Sequence, residues 1–210
     1  MPRVLWLRQQ VTGDQSSGEV PAVQGIGVRE VTDKDWLRGN WMQTYTGKAF
    51  YPLDPRPEDI DPVDIAHALS LLCRFNGHVN RFYSVAEHCV LLSTAVSDEN
   101  KLWALLHDAT EAYVGDMVRP LKRHMDYYVD VENTVMHAIA QRFGLDGAIP
   151  DEVHEADSRI LLTEREHLMG TPPQLWSVDG LHPLPVGIAG WDPKTAERSY
   201  LWRLRDLGAE

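Results

Sequence analysis

The sequence is dominated by amphipathic segments that begin at clear helix start signals. Asp61-Pro62 places a capping residue before a proline at the first helical position, and Asp192-Pro193 repeats this pattern near the C-terminus. The run Ser84-Val85-Ala86-Glu87 has the form of a capping box. Apolar residues recur at helical spacing after each of these starts. The pattern predicts an all-α domain with five to six core helices.

The same signals place the helices along the chain. We predict helices from Pro62 to about Cys73, from Ser84 past His88, from Ser97 or Asp98 to Gly115, from Pro120 to about Phe143, from Pro150 to Met169, and from Asp192 onward. The third of these helices would carry His107, Asp108 and Glu111. The residues from Thr44 to Tyr51, β-branched and aromatic on either side of Gly47, predict a small N-terminal β-hairpin.

The two ends of the chain differ from its middle. Residues 10–27 are rich in Gly, Ser, Gln and Val and lack a helical period, so we predict a partly irregular N-terminal arm at 1–43 and a single domain at 44–210. Residues 171–191 contain four prolines and no period. A loop of this length usually serves as a lid, a binding loop or a contact to another subunit.

Composition and charge restrict the classes of partner. The 20 Lys and Arg residues stand against 31 Asp and Glu, and a net charge of −11 argues against a broad surface for duplex DNA or anionic membranes. We therefore expect no nucleic-acid partner and no membrane. The apolar windows are too short to span a bilayer, and Cys73 and Cys89 are too few for a disulfide framework. Since the N-terminus also lacks a signal-peptide pattern, we expect a cytoplasmic protein.

His107-Asp108 is an unusual polar pair within an apolar segment. Burying an imidazole and a carboxylate together costs several kcal/mol unless a metal or another partner satisfies them. Glu111, four residues after His107, would share its face of the predicted helix, and Asp108 would border that face. The alternative is a surface pair with no further role. His88 on the preceding predicted helix and Asp157 on a later one add an imidazole and a carboxylate.

The order of these residues resembles a known superfamily. His88, His107-Asp108 and Asp157 are similar to the H…HD…D signature of the HD-domain metal-dependent phosphohydrolases. The run from His107 to Asp116, followed by Pro120-Leu121-Lys122, resembles the HD-x-x-E-x-x-x-GD…P-x-K run of the deoxynucleoside 5′-monophosphatase branch. Segments between residues 46 and 88 also resemble bacterial and phage-encoded members, including small dATP triphosphohydrolases of phages. The resemblance covers about residues 44–169.

The resemblance implies an HD-domain helical fold with one divalent transition metal (Co, Mn, Zn or Ni) held by His88, His107, Asp108 and Asp157. Two imidazoles and two carboxylates are a mixed N and O set suited to such an ion. A bound ion polarises a phosphoryl oxygen and lowers the pKa of its bound water. The resemblance further implies that Glu111 is the catalytic residue, which accepts a proton from the attacking water or orients it.

Four further residues have substrate-binding roles implied by the same resemblance. Arg74 would bind phosphate through two parallel hydrogen bonds from its guanidinium fork. The adjacent Phe75, where the family carries Trp, would lie near the base or sugar. Asp116 matches a residue that contacts the sugar 3′-hydroxyl, and Lys122 would hold phosphate as a point charge. The alternative for each is a surface or turn residue without a role in binding.

The implied activity is hydrolysis of phosphate from deoxynucleotides. Two versions remain open: a dNMP 5′-phosphatase, and a dNTP or dATP triphosphohydrolase, for which additional Mg ions would accompany the triphosphate. The implied partners are a small-molecule deoxynucleotide and further copies of the chain in a homo-oligomer. The alternative from another class is a nucleotide-sensing or partner-binding HD module with a structural metal. Glu111 argues against it, because a binding module needs no proton acceptor beside the metal.

Overall fold

Helices make up most of the chain described by this computed structural model, residues 38–209. The arm predicted at 1–43 falls largely outside the described residues. A two-stranded antiparallel hairpin, β1 (Met42–Gln43) and β2 (Ala49–Phe50), comes first. The helices that follow are α1 (Pro62–Leu71), α2 (Val85–Ser93), α3 (Lys101–Leu106), α4 (Glu111–Val114), α5 (Arg119–Lys122), α6 (Asp126–Arg142), α7 (Asp151–Leu168) and α8 (Pro193–Asp206). The predicted all-α class and the N-terminal hairpin are confirmed.

Three helices begin at the capping residues that the sequence predicts. Asp61 accepts a hydrogen bond from the backbone N–H of Val63 at 2.9 Å, and Asp192 accepts one from Thr195 at 3.1 Å. Ser84 accepts from the N–H of Glu87 at 3.1 Å. Each bond satisfies one of the amide donors that a helix leaves unpaired in its first turn, so local chemistry sets where these helices start.

Glu87 does not complete the predicted capping box. Its fully buried carboxylate points away from the N-cap and accepts the backbone N–H groups of Ala189 and Gly190 at 2.9 Å and of Trp191 at 2.6 Å. A carboxylate with three amide donors is a strong, charge-assisted anchor. Glu87 therefore ties the segment before α8 to the first turn of α2.

The predicted helix from Ser97 to Gly115 is interrupted. Tyr200 on α8 donates its hydroxyl to the Leu105 carbonyl at 2.8 Å, and the His107 ring donates through Nδ1 to the Ala104 carbonyl at 2.8 Å. These carbonyls would otherwise accept the amides of residues 109 and 108 in a continuous helix. The Ala109 amide bonds to the Leu106 carbonyl instead, three residues back.

The prediction that His107, Asp108 and Glu111 lie on one helix is therefore wrong. His107 and Asp108 occupy the tight turn between α3 and α4, and Glu111 is the first residue of α4. The predicted helix from Pro120 to Phe143 is likewise divided into α5 and α6. Between them, the backbone N–H groups of His124 and Met125 each donate a hydrogen bond to the carbonyl three residues earlier.

Apolar packing holds these elements around a common core. Helix α2 packs against α1, α3 and α8, with Leu69, Cys89 and Leu105 fully buried between them. A second cluster, which includes Leu92 and Ile160, joins α7 to α2 and α3. The three regions that carry the predicted metal ligands are thus fixed relative to one another by buried side chains. None of the described helices is both long enough and apolar enough to cross a membrane.

The proline-rich loop at 171–191 is anchored along its length. Its carbonyls at Leu184 and His182 accept hydrogen bonds from Thr163 at 2.7 Å and Arg159 at 3.0 Å, both on α7. Val178 is buried, and residues 174–178 line the cavity described below. The loop therefore contributes part of the lining of that cavity.

Candidate metal centre

The predicted metal ligands converge from three elements. His88 Nε2, in α2, lies 3.2 Å from His107 Nε2, which is 3.3 Å from Asp108 Oδ2. Ligand atoms of these three residues all lie within 4.8 Å of one another and form a candidate metal site. Asp157 Oδ1, from the middle of α7, lies 3.4 Å from His88 Nε2 and 3.9 Å from His107 Nε2. The structure therefore brings all four side chains together.

Hydrogen bonds on the far side of each ring determine which imidazole nitrogen carries the proton. His107 Nδ1 contacts the Ala104 carbonyl, and His88 Nδ1 lies 2.7 Å from Glu164 Oε1. Both partners are acceptors, so each Nδ1 must donate. In the neutral rings, both Nε2 atoms then direct their lone pairs toward the same point. One carboxylate oxygen each of Asp108 and Asp157 lies next to this point. Four electron-pair donors without a shared proton fit a divalent transition ion.

The electrostatics of the cluster also favour a cation. Burial by itself would lower the pKa of His107, but the adjacent Asp108 carboxylate outweighs burial and raises that pKa well above its ordinary value. The negative potential that attracts a proton to this nitrogen attracts a metal ion in the same way. The site is consequently suited to hold a positive charge between its ligands.

Arg74 lies inside this cluster rather than at its edge. The buried guanidinium donates through Nη1 to Asp108 Oδ2 at 3.2 Å and through Nε to Glu164 Oε2 at 3.3 Å. Burial alone would lower its pKa, whereas the surrounding carboxylates raise it well above the ordinary value. The phosphate fork predicted for Arg74 is thus partly occupied by carboxylates of the protein, although the residue still lines the cavity.

Glu164 is a site residue that the sequence analysis missed. It lies in the run Glu164-Arg165-Glu166, which has the composition of a solvated helix face. It stands seven residues after Asp157 and four after the buried Ile160, which places it on the inward stripe of α7. That spacing was the available signal.

A cavity of about 1080 Å³ opens beside the candidate metal site. It is lined by the predicted catalytic residue and by all four predicted substrate-binding residues: Glu111, Arg74, Phe75, Asp116 and Lys122. Arg119 and Arg123, on and just after α5, add cationic side chains to the same wall. Arg119 forms an ion pair with Asp157, and Lys122 with Glu132. The structure therefore gathers the predicted substrate residues around one cavity.

Glu111 has an unusual environment for a carboxylate. Its Oε2 atom is buried and has no hydrogen-bond partner among the described residues. Burial raises its pKa well above the ordinary value, and the charges of Asp108 and Asp116 raise it further. An unpaired buried polar atom costs about 1–3 kcal/mol, so a carboxylate kept here calls for a partner from the cavity.

An aromatic corner forms one end of the cavity. Phe75 and Asn76 have left-handed backbone angles, with φ of 55° and 50°, a conformation that bulky residues rarely adopt. The turn brings the Phe75 ring to 6.3 Å from the ring of Trp176 in the proline-rich loop. The guanidinium carbon of Arg165 also lies 5.1 Å from the centroid of the Trp176 ring. No sequence signal singles out Trp176, because its partner is distant along the chain.

Fold and site together define an all-α protein with a candidate His-His-Asp metal centre beside a large cavity. No family model matches the chain. It is 41% identical over 139 residues to YfdR of Escherichia coli strain K12, a match covering 66% of this chain and 78% of YfdR. The chain therefore belongs to the same family as YfdR.

A second relative comes from Rhodobacter capsulatus. The protein RCAP_rcc00048 is 36% identical over 130 residues, a match that covers 57% of this chain and 66% of the relative. Both relatives are uncharacterized proteins. The similarity thus establishes the family, and neither relative has a stated activity.

Proposed function

We propose that this protein is a metal-dependent phosphohydrolase that removes phosphate from deoxynucleotides, as a dNMP 5′-phosphatase or a dNTP triphosphohydrolase. The observation that carries the proposal is the convergence of four electron-pair donors, from His88, His107, Asp108 and Asp157, beside the cavity, of which His107, Asp108 and Asp157 form part of the lining. These residues would hold one divalent ion, which supplies Lewis-acid polarisation of a phosphoryl oxygen and a bound water of lowered pKa. Deoxynucleotides are proposed from the resemblance of the run ending in Gly115-Asp116.

Glu111 manages the proton in this proposal. Its unpaired Oε2 is buried at the cavity, so an attacking water can donate a hydrogen bond to it without competition from another side chain of the described chain. Burial and the charges of Asp108 and Asp116 raise the pKa of Glu111, which makes its carboxylate a stronger proton acceptor. The carboxylate therefore orients the water and accepts its proton.

Cations around the cavity neutralise the phosphate. The chain carries a net charge of −11, so a phosphate-binding site must concentrate positive charge locally. Arg119, Lys122 and Arg123 do so along one wall, and Arg74 does so next to the metal ligands. Asp116, also on the cavity, accepts a hydrogen bond from the sugar hydroxyl. This arrangement serves a monophosphate or a triphosphate.

Product analysis tests the proposal. Co- or Mn-loaded protein is incubated with dNMPs, dNTPs and their ribonucleotide counterparts, and the products are separated by chromatography. Nucleoside and phosphate from dNMPs support the monophosphatase version, and loss of a dNTP with release of triphosphate or successive phosphates supports the other.

Two variants make this assay specific. Glu111→Gln keeps the shape of the side chain and removes the base, so turnover should fall by about 100- to 10,000-fold. Glu166→Gln, at an exposed position of α7, should match the parent. If the parent turns over no nucleotide and Glu111→Gln behaves identically, the hydrolase proposal is wrong, and the binding-module alternative takes its place.

A further inference from the structure

We infer that Glu164 is a positioning residue of the metal centre, which fixes the imidazole of His88 and couples it to Arg74. The inference rests on the metal site of the proposed function. Glu164 is fully buried on α7. Its Oε1 lies 2.7 Å from His88 Nδ1, and its Oε2 lies 3.3 Å from both Nε and Nη2 of Arg74. Both oxygens are therefore engaged by side chains that reach the ligand cluster.

The contact with His88 determines how that ring can act as a ligand. A carboxylate that accepts the Nδ1 proton holds the ring in one orientation and one tautomer, and it makes Nε2 more electron-rich. His88 is itself fully buried, and no carbonyl takes the place that Ala104 has for His107. Orientation of the His88 ring consequently depends on Glu164.

The contact with Arg74 extends the effect to a second ligand. Arg74 donates from Nε and Nη2 to Glu164, and its Nη1 reaches Asp108 Oδ2. One buried carboxylate thus links the ligand on α2 with the ligand in the turn after α3. A buried ion pair that loses one partner leaves an uncompensated charge, so removing Glu164 would leave Nε and Nη2 of Arg74 without their carboxylate and the contact of Arg74 with Asp108 would no longer be fixed.

Metal affinity provides the test. Metal-free protein is titrated with Co or Zn in competition with a chromogenic chelator, and Glu164→Gln should bind the ion about 10- to 100-fold more weakly than the parent. Glu166→Gln, two residues away and exposed, should bind as tightly as the parent. Parental affinity in Glu164→Gln, with only a lower unfolding temperature, would show a purely structural role and overturn the inference.

A double-mutant cycle separates positioning from simple charge. If Glu164 acts mainly through the His88 ring, Glu164→Gln should lose most of its effect on metal affinity in a His88→Ala background, and the smaller remaining effect is the part transmitted through Arg74 to Asp108. An equal loss of affinity in both backgrounds would mean that the negative charge alone matters, and the inference would be wrong. The visible absorption of bound Co should also change between Glu164→Gln and the parent, because the ligand geometry changes.

Glu164→Asp covers the case in which the Gln variant fails to fold. It keeps the charge that Arg74 needs but shortens the side chain by one methylene, so the contact with His88 is lost or lengthened. Intermediate metal affinity is expected, and parental affinity overturns the inference. These measurements report metal binding, so they test the role of Glu164 even if the protein hydrolyses no nucleotide. Loss of hydrolysis in a variant that keeps the parental metal affinity would not support the inference.

Discussion

His88 and His107 face each other through their Nε2 atoms at 3.2 Å, while each Nδ1 is held by an acceptor on the opposite side of its ring. Two lone pairs at this separation repel unless a cation lies against them. The arrangement thus ties the local hydrogen bonding of α2 and of the turn after α3 to the chemistry of the cavity.

Metal binding should stabilise the folded protein. Since an ion binds the native cluster and not the unfolded chain, Co or Mn at 100 times its dissociation constant should add about 2.7 kcal/mol to the free energy of unfolding. Thermal unfolding with and without metal measures this. Asp108→Asn should lose most of the shift, whereas Asp146→Asn, at an exposed acid, should retain it. An equal shift in Asp108→Asn would contradict the assigned site.

Trp176 should recognise the base of the substrate. Stacking of a base on an aromatic ring contributes about 1–3 kcal/mol, so Trp176→Ala should raise KM for a deoxynucleotide roughly 5- to 150-fold. KM for deoxyribose 5-phosphate, which has no base, should stay near the parental value. Trp202→Ala, at an exposed position on α8, serves as the control. Equal effects on both substrates would assign Trp176 to packing of the loop instead.

Glu87 should hold the proline-rich loop against α2. Glu87→Ala leaves three backbone N–H groups without their acceptor, and charge-assisted hydrogen bonds contribute about 1.5–3 kcal/mol each, so the loss of stability should exceed about 3 kcal/mol. Urea unfolding measures it, and limited proteolysis should cut first within residues 171–191. The exposed Glu99→Gln is the control. Unchanged proteolysis would mean that other contacts hold the loop.

Asp61 should contribute to loss of stability in acid. Burial alone would raise its pKa, but hydrogen bonds from Lys48 and from the Val63 amide outweigh burial and hold the pKa below its ordinary value. Because the folded-state pKa is depressed, the stabilisation is present above the unfolded-state pKa of about 3.9 and is lost as pH falls through the folded-state value.

Two substitutions separate the charge of Asp61 from its cap. Asp61→Asn keeps a good capping residue but removes the charge, so it should flatten the dependence of unfolding free energy on pH below about 4 and lose at neutral pH only the stabilisation that the charge supplies. Asp61→Ala removes the cap and should cost about 1 kcal/mol at neutral pH as well. An unchanged pH dependence in Asp61→Asn would assign the acid sensitivity to other carboxylates.

The helix starts at Asp61, Ser84 and Asp192 could be predicted because a capping side chain and its amide partner lie within three residues of each other. The all-α class followed from apolar periodicity, which is equally local. The four proposed metal ligands were found from their order along the chain, and the structure brings them together. Their roles in binding and catalysis remain predictions.

What only the tertiary structure decided depends on contacts between distant residues. The hydroxyl of Tyr200 donates a hydrogen bond to the Leu105 carbonyl of α3, which is then not available to the helix. His107 and Asp108 therefore lie in a turn that no local pattern indicates. The Glu87 carboxylate accepts backbone N–H groups of a loop about a hundred residues later in the chain, and the Glu164 carboxylate contacts the His88 ring from a different helix. Helix starts were therefore determined by the sequence itself, because their energetics are local, whereas the environment of each ligand was decided by long-range packing.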